Sequence, residues 1–213
     1  YQNITLQYIE SFSGFYDIAG NHDEFALESF DSPNHNFLKY SFHYRNNPED
    51  FYVSSVVIGD KKFILFNPFY YPFPHSKIDM YGRPSKDVVD KFRAELESNE
   101  GISELYIVSH FSASFVWDSY FQSIVKESNA TLYLSGHLHP SSFNIGHTGK
   151  ILEIVAPDLQ SHGKFGLVTS DMNQVVYHEI DVDHPILTFI TSPTPHLQLS
   201  SHSTFSNNKI PIR

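Results

Sequence analysis

Three short segments hold the residues of this chain best suited to chemistry: Gly20-Asn21-His22-Asp23, Ser109-His110 and Gly136-His137-Leu138-His139. Neutral imidazoles and amide oxygens are metal donors. His137 and His139 stand two residues apart just beyond the apolar run 131–135. On a pleat such residues point to one side, so both rings would reach a common point. Gly136 reads as the residue that lets the backbone turn there. One His-x-His pair means little, but each of the three segments follows a short apolar run, at 15–19, 105–108 and 131–135. Three strand ends presenting such donors describe one metal site assembled from distant parts of the chain. The sequence has no cysteine, so its ligands must be nitrogen and oxygen.

Strands must lie at those places for the site to form. The runs 104–109 and 131–135 read as strands, with a helix over 117–128 between them (Trp117, Phe121, Ile124 and Val125 as its core face). That β-α-β unit puts His110 and His137 past the C-terminal ends of neighbouring strands, where open α/β sheets bind ligands. A second helix starts at Arg83-Pro84-Ser85, buries Val88, Val89, Phe92 and Leu96, and ends before Gly101. Runs 51–58 and 62–66 form a hairpin across Gly59-Asp60-Lys61. The run 15–19 reads as a short strand, 24–47 has no clear periodicity, and 67–82 is a long Pro/Tyr/Phe-rich loop of the kind that lines clefts. Later runs at 151–156, 165–170, 174–180 and 185–191 follow in hairpin-like succession, and 192–208 has the composition of a linker or tail. His147 and His162 read as loop residues, and His35, His43, His75, His178, His184, His196 and His202 lack ligand spacing.

A chain of 213 residues with 19 Phe and 13 Tyr can build one sizeable core and an appendage. Its net charge of −10 leaves no basic stripe for a nucleic-acid backbone. An anionic substrate would need a local positive centre, which a metal ion supplies. No apolar run approaches the ~20 residues of a membrane span. Asn3-Ile4-Thr5 and Asn129-Ala130-Thr131 are glycosylation sequons, relevant in a secretory compartment. The chain opens on Tyr1, without Met or a signal-like segment, in what reads as an amphipathic helix (Ile4, Leu6, Tyr8, Ile9, Phe12), and is expected to be part of a longer polypeptide.

In order and spacing the three segments resemble the later motifs of calcineurin-like metallophosphoesterases, from about residue 15 to 180. The resemblance implies an α/β fold, a double β-sheet sandwich flanked by helices in four layers (αββα), with its N-terminal portion missing. Residues 1–183 would be the C-terminal two-thirds of that domain, and 184–213 a linker, tail or start of a following β domain. It implies hydrolysis of a phosphate ester by a hydroxide held between two Mn, Fe or Zn ions about 4 Å apart. Asn21, His110 and His137 would hold the second ion and His139 would belong to the first. His22 would face the phosphate, stabilising charge or protonating the leaving oxygen, and Asp23 would orient His22 or cap the following helix. Phe111-Ser112 and the run 185–193 resemble one branch, in which the domain sits on the lumenal side of a multi-spanning membrane protein. A secretory, ER-lumenal or extracellular location is the matching expectation, with the parent protein membrane-anchored.

The departure from the family is equally specific. Its D-x-H and G-D motifs, which supply carboxylates to both ions, do not occur upstream of Gly20. Gly59-Asp60 comes after the Asn-His motif, in a hairpin turn, and is not expected to be a ligand. This chain is therefore expected to carry half a site, to hold at most one ion weakly, and to be inactive alone. The alternative is a pseudoenzyme, an interaction module on the same scaffold. A mononuclear zinc hydrolase of other fold fits poorly, because Asn is a weak zinc ligand and no carboxylate stands at a suitable motif.

Overall fold

The computed structural model describes residues 14–71, 80–171, 174–182 and 188–193. They fall into two compact units, one within Tyr1–His137 and Gly146–Ile154, the other within Leu138–Ile145 and Val155–Arg213.

The first unit is α/β. Strands β1 (Val53–Ile58) and β2 (Lys61–Phe66) are rich in β-branched and aromatic residues and pair antiparallel, Ile58 opposite Lys61. Gly59 makes the turn between them in the left-handed region at φ 64°, which costs glycine nothing. From β2 the chain crosses through α1 (Lys86–Glu97) to β3 (Glu104–Ser109), which lies parallel to β2. It crosses again through α2 (Ser119–Glu127) to β4 (Leu132–Ser135), parallel to β3. With β5 (Asn144–Thr148) and β6 (Ile151–Val155) the mixed sheet has six strands in the order β1-β2-β3-β4-β6-β5.

Helices cover the parallel strands because their apolar residues recur on one face. Ser85 caps α1, which buries Val89, Phe92 and Leu96, and Asp118 caps α2, which buries Phe121 and Val125. The two faces meet over β2: the Phe121 ring stacks on Phe66 at 4.8 Å, and Phe92 lies 4.7 Å from Phe66 and 5.0 Å from Phe121.

The second unit carries an antiparallel sheet of β7 (Lys164–Asp171), β8 (Gln174–Asp181) and β9 (Thr188–Pro193) in that order. Tyr177 is buried there, its ring 5.8 Å from Phe143. The α/β class expected from the sequence is thus present, with a mixed six-stranded sheet, a second sheet and helices.

Four local expectations differ from what is found. Residues 15–19 form no strand, and Ala19 N pairs with the Asn67 side chain rather than with a neighbouring strand. Trp117 precedes α2 and is 66% exposed, so it is not core. The polar stretch 24–47 holds a five-residue helix, Asn36–Tyr40. Strand β5 went unseen because its sequence, NIGHT, alternates weakly and is almost wholly exposed. The expected opening helix, the boundary at 183/184 and residues 194–208 lie outside the described residues, as do residues 72–79 of the expected 67–82 loop, in which Phe69 is buried and Tyr70 exposed.

Phe121→Ala should lower unfolding free energy by about 3–5 kcal/mol in denaturant titration, through lost burial and an unfilled cavity. A loss under about 1 kcal/mol would show that the three-ring contact does not anchor the helices.

Candidate metal centre

His110 is the residue after β3, and the backbone N–H of Gly136 donates to its carbonyl at 3.0 Å, so the ends of β3 and β4 are tied together. Parallel pairing thereby brings two imidazoles 27 residues apart in sequence to one place: His110 Nε2 lies 3.1 Å from His137 Nδ1. The same Nε2 lies 2.9 Å from Asn21 Oδ1. Asn21 is 2% exposed and His137 7%.

Hydrogen bonding alone satisfies this arrangement badly. A neutral imidazole nitrogen offers either one proton or one lone pair, so in either tautomer His110 Nε2 has a single bond to divide between two partners. As ligands the three atoms suit one another. For metal–ligand distances of about 2.1 Å, adjacent donors of an octahedral ion stand about 3.0 Å apart, matching the observed 2.9 and 3.1 Å. The residues present therefore fit a transition-metal ion. Among the described residues no group of three or more His, Cys, Asp or Glu gathers to hold a metal, and this trio takes its third donor from an amide.

The Asn21 loop is held by side chains. Buried Asn67 accepts from Ala19 N at 3.0 Å and donates to Phe51 O at 2.6 Å, while Asp23 accepts from Gly20 N at 2.8 Å. This bond runs back to the residue three before Asp23 and closes a turn; no helix follows for Asp23 to cap. Asp17 accepts from Ser41 Oγ at 2.8 Å and Phe42 N at 3.2 Å. A Cβ at Gly20 would lie 3.2 Å from His110 Cε1, so a side chain there would press on that ring. His22 is exposed.

The Gly136-His137-Leu138-His139 turn departs from the expected pleat. His137 and His139 both adopt left-handed backbone, at φ 39° and 50°, so neither continues β4, and the strain rests on the histidines rather than on Gly136. Non-glycine residues held there are concentrated at functional sites. His137 is clamped by rings, with Phe111 at 4.6 Å and Phe115 at 5.5 Å. His139 belongs to the second unit, where its Nδ1 lies 3.2 Å from Asp158 Oδ2 and half of its side chain is exposed. A carboxylate on Nδ1–H fixes the ring and presents Nε2 outward, the arrangement that orients ligating histidines. Bonds from the Ser161 hydroxyl, the Gln160 and Ser161 amides and His139 hold the Asp158 carboxyl well below the usual range. Asp158 had no signal in sequence, because it meets His139 only through the fold.

A second polar cluster follows the Asn21 loop. Glu24 is fully buried, accepts from the Tyr71 hydroxyl, and lies 3.4 Å from His35 Nε2, itself 3.1 Å from the Tyr71 hydroxyl. Phe30 and Phe51 pack edge-on to His35 at 5.7 and 5.5 Å. Burial pushes the Glu24 carboxyl up to about 8 and the His35 imidazole down to about 4. His35 has no ligand spacing, and spacing alone could not reveal this role.

The donors of His110 and His137 thus meet at the C-terminal ends of neighbouring parallel strands, where open α/β sheets bind ligands, and the Asn21 loop joins them there. No family model matches the chain. Over 186 residues, 83% of its length, it is 23% identical to Transmembrane protein 62 of Mus musculus, and that stretch spans 28% of the mouse protein. Among the described residues no helix is long and apolar enough to cross a membrane.

The buried cluster makes stability depend on pH. Glu24, raised from 4.5, contributes in full below that value and its contribution is lost as pH rises towards 8. His35, lowered from 6.5, acts oppositely but only between about 4 and 6.5. Between 6.5 and 8 the Glu24 effect stands alone, with Asp23 nearby reinforcing it. The protein should lose up to about 2 kcal/mol over that interval, and Glu24→Gln should flatten the profile. Parallel wild-type and variant profiles in urea titration would contradict a neutral buried Glu24.

Proposed function

We propose that this chain contributes half of a dinuclear metal centre to a phosphoric ester hydrolase of the calcineurin-like metallophosphoesterase type. The observation that carries the reading is the meeting of Asn21 Oδ1, His110 Nε2 and His137 Nδ1 within 3.1 Å steps at two strand ends. Those three would hold one Mn, Fe or Zn ion; the resemblance alone assigns the other to His139, which Asp158 orients within the second unit. Ions so held polarise phosphoryl oxygens and lower the pKa of water. Around them this chain's own groups act. Asn67 and Asp23 hold the backbone just before Asn21, Phe111 and Phe115 fix the His137 ring, and exposed His22 donates a proton or hydrogen bond to the departing oxygen.

Two neutral imidazoles and one amide leave the ion's charge unbalanced, so affinity should be low. The D-x-H and G-D carboxylates would come from residues other than these 213, and this chain alone would not turn over. The small share of the mouse relative that it spans supports that arrangement. A lumenal or extracellular setting on a membrane-anchored parent agrees with the relative's name and with exposed Asn129 in its sequon. The lack of a carboxylate in the trio favours one competing reading, an interaction module on the same scaffold.

Equilibrium dialysis against Mn2+ or Zn2+, followed by elemental analysis, separates the two. At most one ion per chain should bind, and His110→Ala and His137→Ala should each abolish uptake. In a polypeptide that includes the two carboxylate motifs, His137→Ala should lower kcat/KM for a phosphate monoester about a hundredfold. Uptake unchanged by both variants would end the metal reading.

A further inference from the structure

We infer that Tyr81, Trp117 and Arg83 form a specificity platform for the planar aromatic group of the phosphate ester, an inference that rests on the phosphoesterase reading above. The platform begins at a proposed ligand. Phe115 lies 5.5 Å from the His137 ring on one side and stacks on Tyr81 at 5.7 Å and 18° on the other. Tyr81 in turn lies 5.5 Å from Trp117, and the Arg83 guanidinium sits 4.7 Å over the Trp117 ring. A continuous run of rings thus leads from the candidate metal centre to a cation.

These groups are exposed where sequence periodicity would have buried one of them. Trp117 is 66% exposed and Tyr81 42%, and Arg83 is exposed beside them. Their geometry is nevertheless rigid. Gly82 and Val116 form a parallel bridge, Gly82 N donates to Phe115 O at 2.8 Å, and Trp117 N donates to Gly82 O at 2.7 Å. Arg83 N donates to Pro68 O at 2.7 Å. Gly82 has no room for a side chain, since a Cβ would lie 2.6 Å from Pro68 Cγ, so the two segments cannot be moved apart or padded without disturbing the bridge. Two segments joined by backbone bonds, presenting rings and a guanidinium outward, cost little entropy to bind upon.

The chemistry of the surface names its occupant. Tyr and Trp rings stack with planar π-systems whatever their hydrogen-bonding edges, and a guanidinium adds attraction for an anion. In a chain with 24 acidic and 14 basic residues, a cation held on an aromatic face beside donors for a metal ion suits a phosphate ester that carries a ring. The ring can be a nucleobase or a simple aryl group.

Trp117 is the protein's only tryptophan, so its fluorescence reports on the platform without any turnover. In the presence of Mn2+, adenosine 5′-monophosphate and phenyl phosphate should quench it saturably, and glycerol 2-phosphate should not. Quenching by both marks an aryl site in general, and by the nucleotide alone a nucleobase site. Tyr81→Ala should raise the half-saturating concentration about tenfold. Trp117→Leu, followed by calorimetry because the reporter is gone, should do the same while leaving thermal unfolding and metal uptake unchanged. Equal quenching by glycerol 2-phosphate, or none by the two ring-bearing esters, overturns the platform. Metal uptake without quenching overturns it while the phosphoesterase reading stands. Quenching by the ring-bearing esters in a chain that takes up no metal strikes that reading and leaves the platform.

Discussion

His110 Nε2 faces both Asn21 Oδ1 and His137 Nδ1, and much of the first unit can be understood as the means of keeping the three together. In either tautomer that nitrogen cannot satisfy both partners at once through a single hydrogen bond. A fold that relaxed freely would turn one of these side chains outward to water. Instead the parallel register of β3 and β4, the bond from Gly136 to the His110 carbonyl and the rings around His137 hold the unfavourable convergence. Strained left-handed backbone at His137 belongs to the same account.

The Asn21 loop reaches that point without a strand to carry it. Its positioning comes from polar side chains paired with backbone: buried Asn67 bridges Ala19 and Phe51, buried Asp17 gathers the chain at 41–43, and exposed Asp23 closes the turn on Gly20. Such networks define a single conformation, because a buried amide left without its partner costs about 1–3 kcal/mol. Glu24, His35 and Tyr71 extend the network into the aromatic core, where burial keeps acid and imidazole neutral together. The loop therefore stands on a foundation that is polar, dry and pH-sensitive.

Aromatic residues serve two opposite ends in this unit. Phe66, Phe92 and Phe121 close the core between sheet and helices, whereas Tyr81 and Trp117 are held outward by the backbone bridge at Gly82 and Val116. The difference lies in a few residues of position. Trp117 shares the helical spacing of Phe121, but α2 begins at Ser119, capped by Asp118, so the tryptophan belongs to the preceding extended segment.

Sequence alone determined the elements whose signals are local. Periodicity marked α1, α2 and the buried runs of β2, β3 and β4, since a core-facing stripe or an apolar strand is written in consecutive residues. Motif spacing also marked His110 and His137, which converge because β3 and β4 lie parallel, whereas Asn21 reaches them without the strand expected at 15–19. Tertiary structure decided what no window contains. The irregular backbone at 15–19, the positive φ of both His137 and His139, the pairing of His139 with Asp158, the burial of His35 and the exposure of Trp117 each depend on a partner distant in the chain. Those partners are chosen by long-range packing and by the need to pair every buried polar group, and neither is encoded at a fixed spacing.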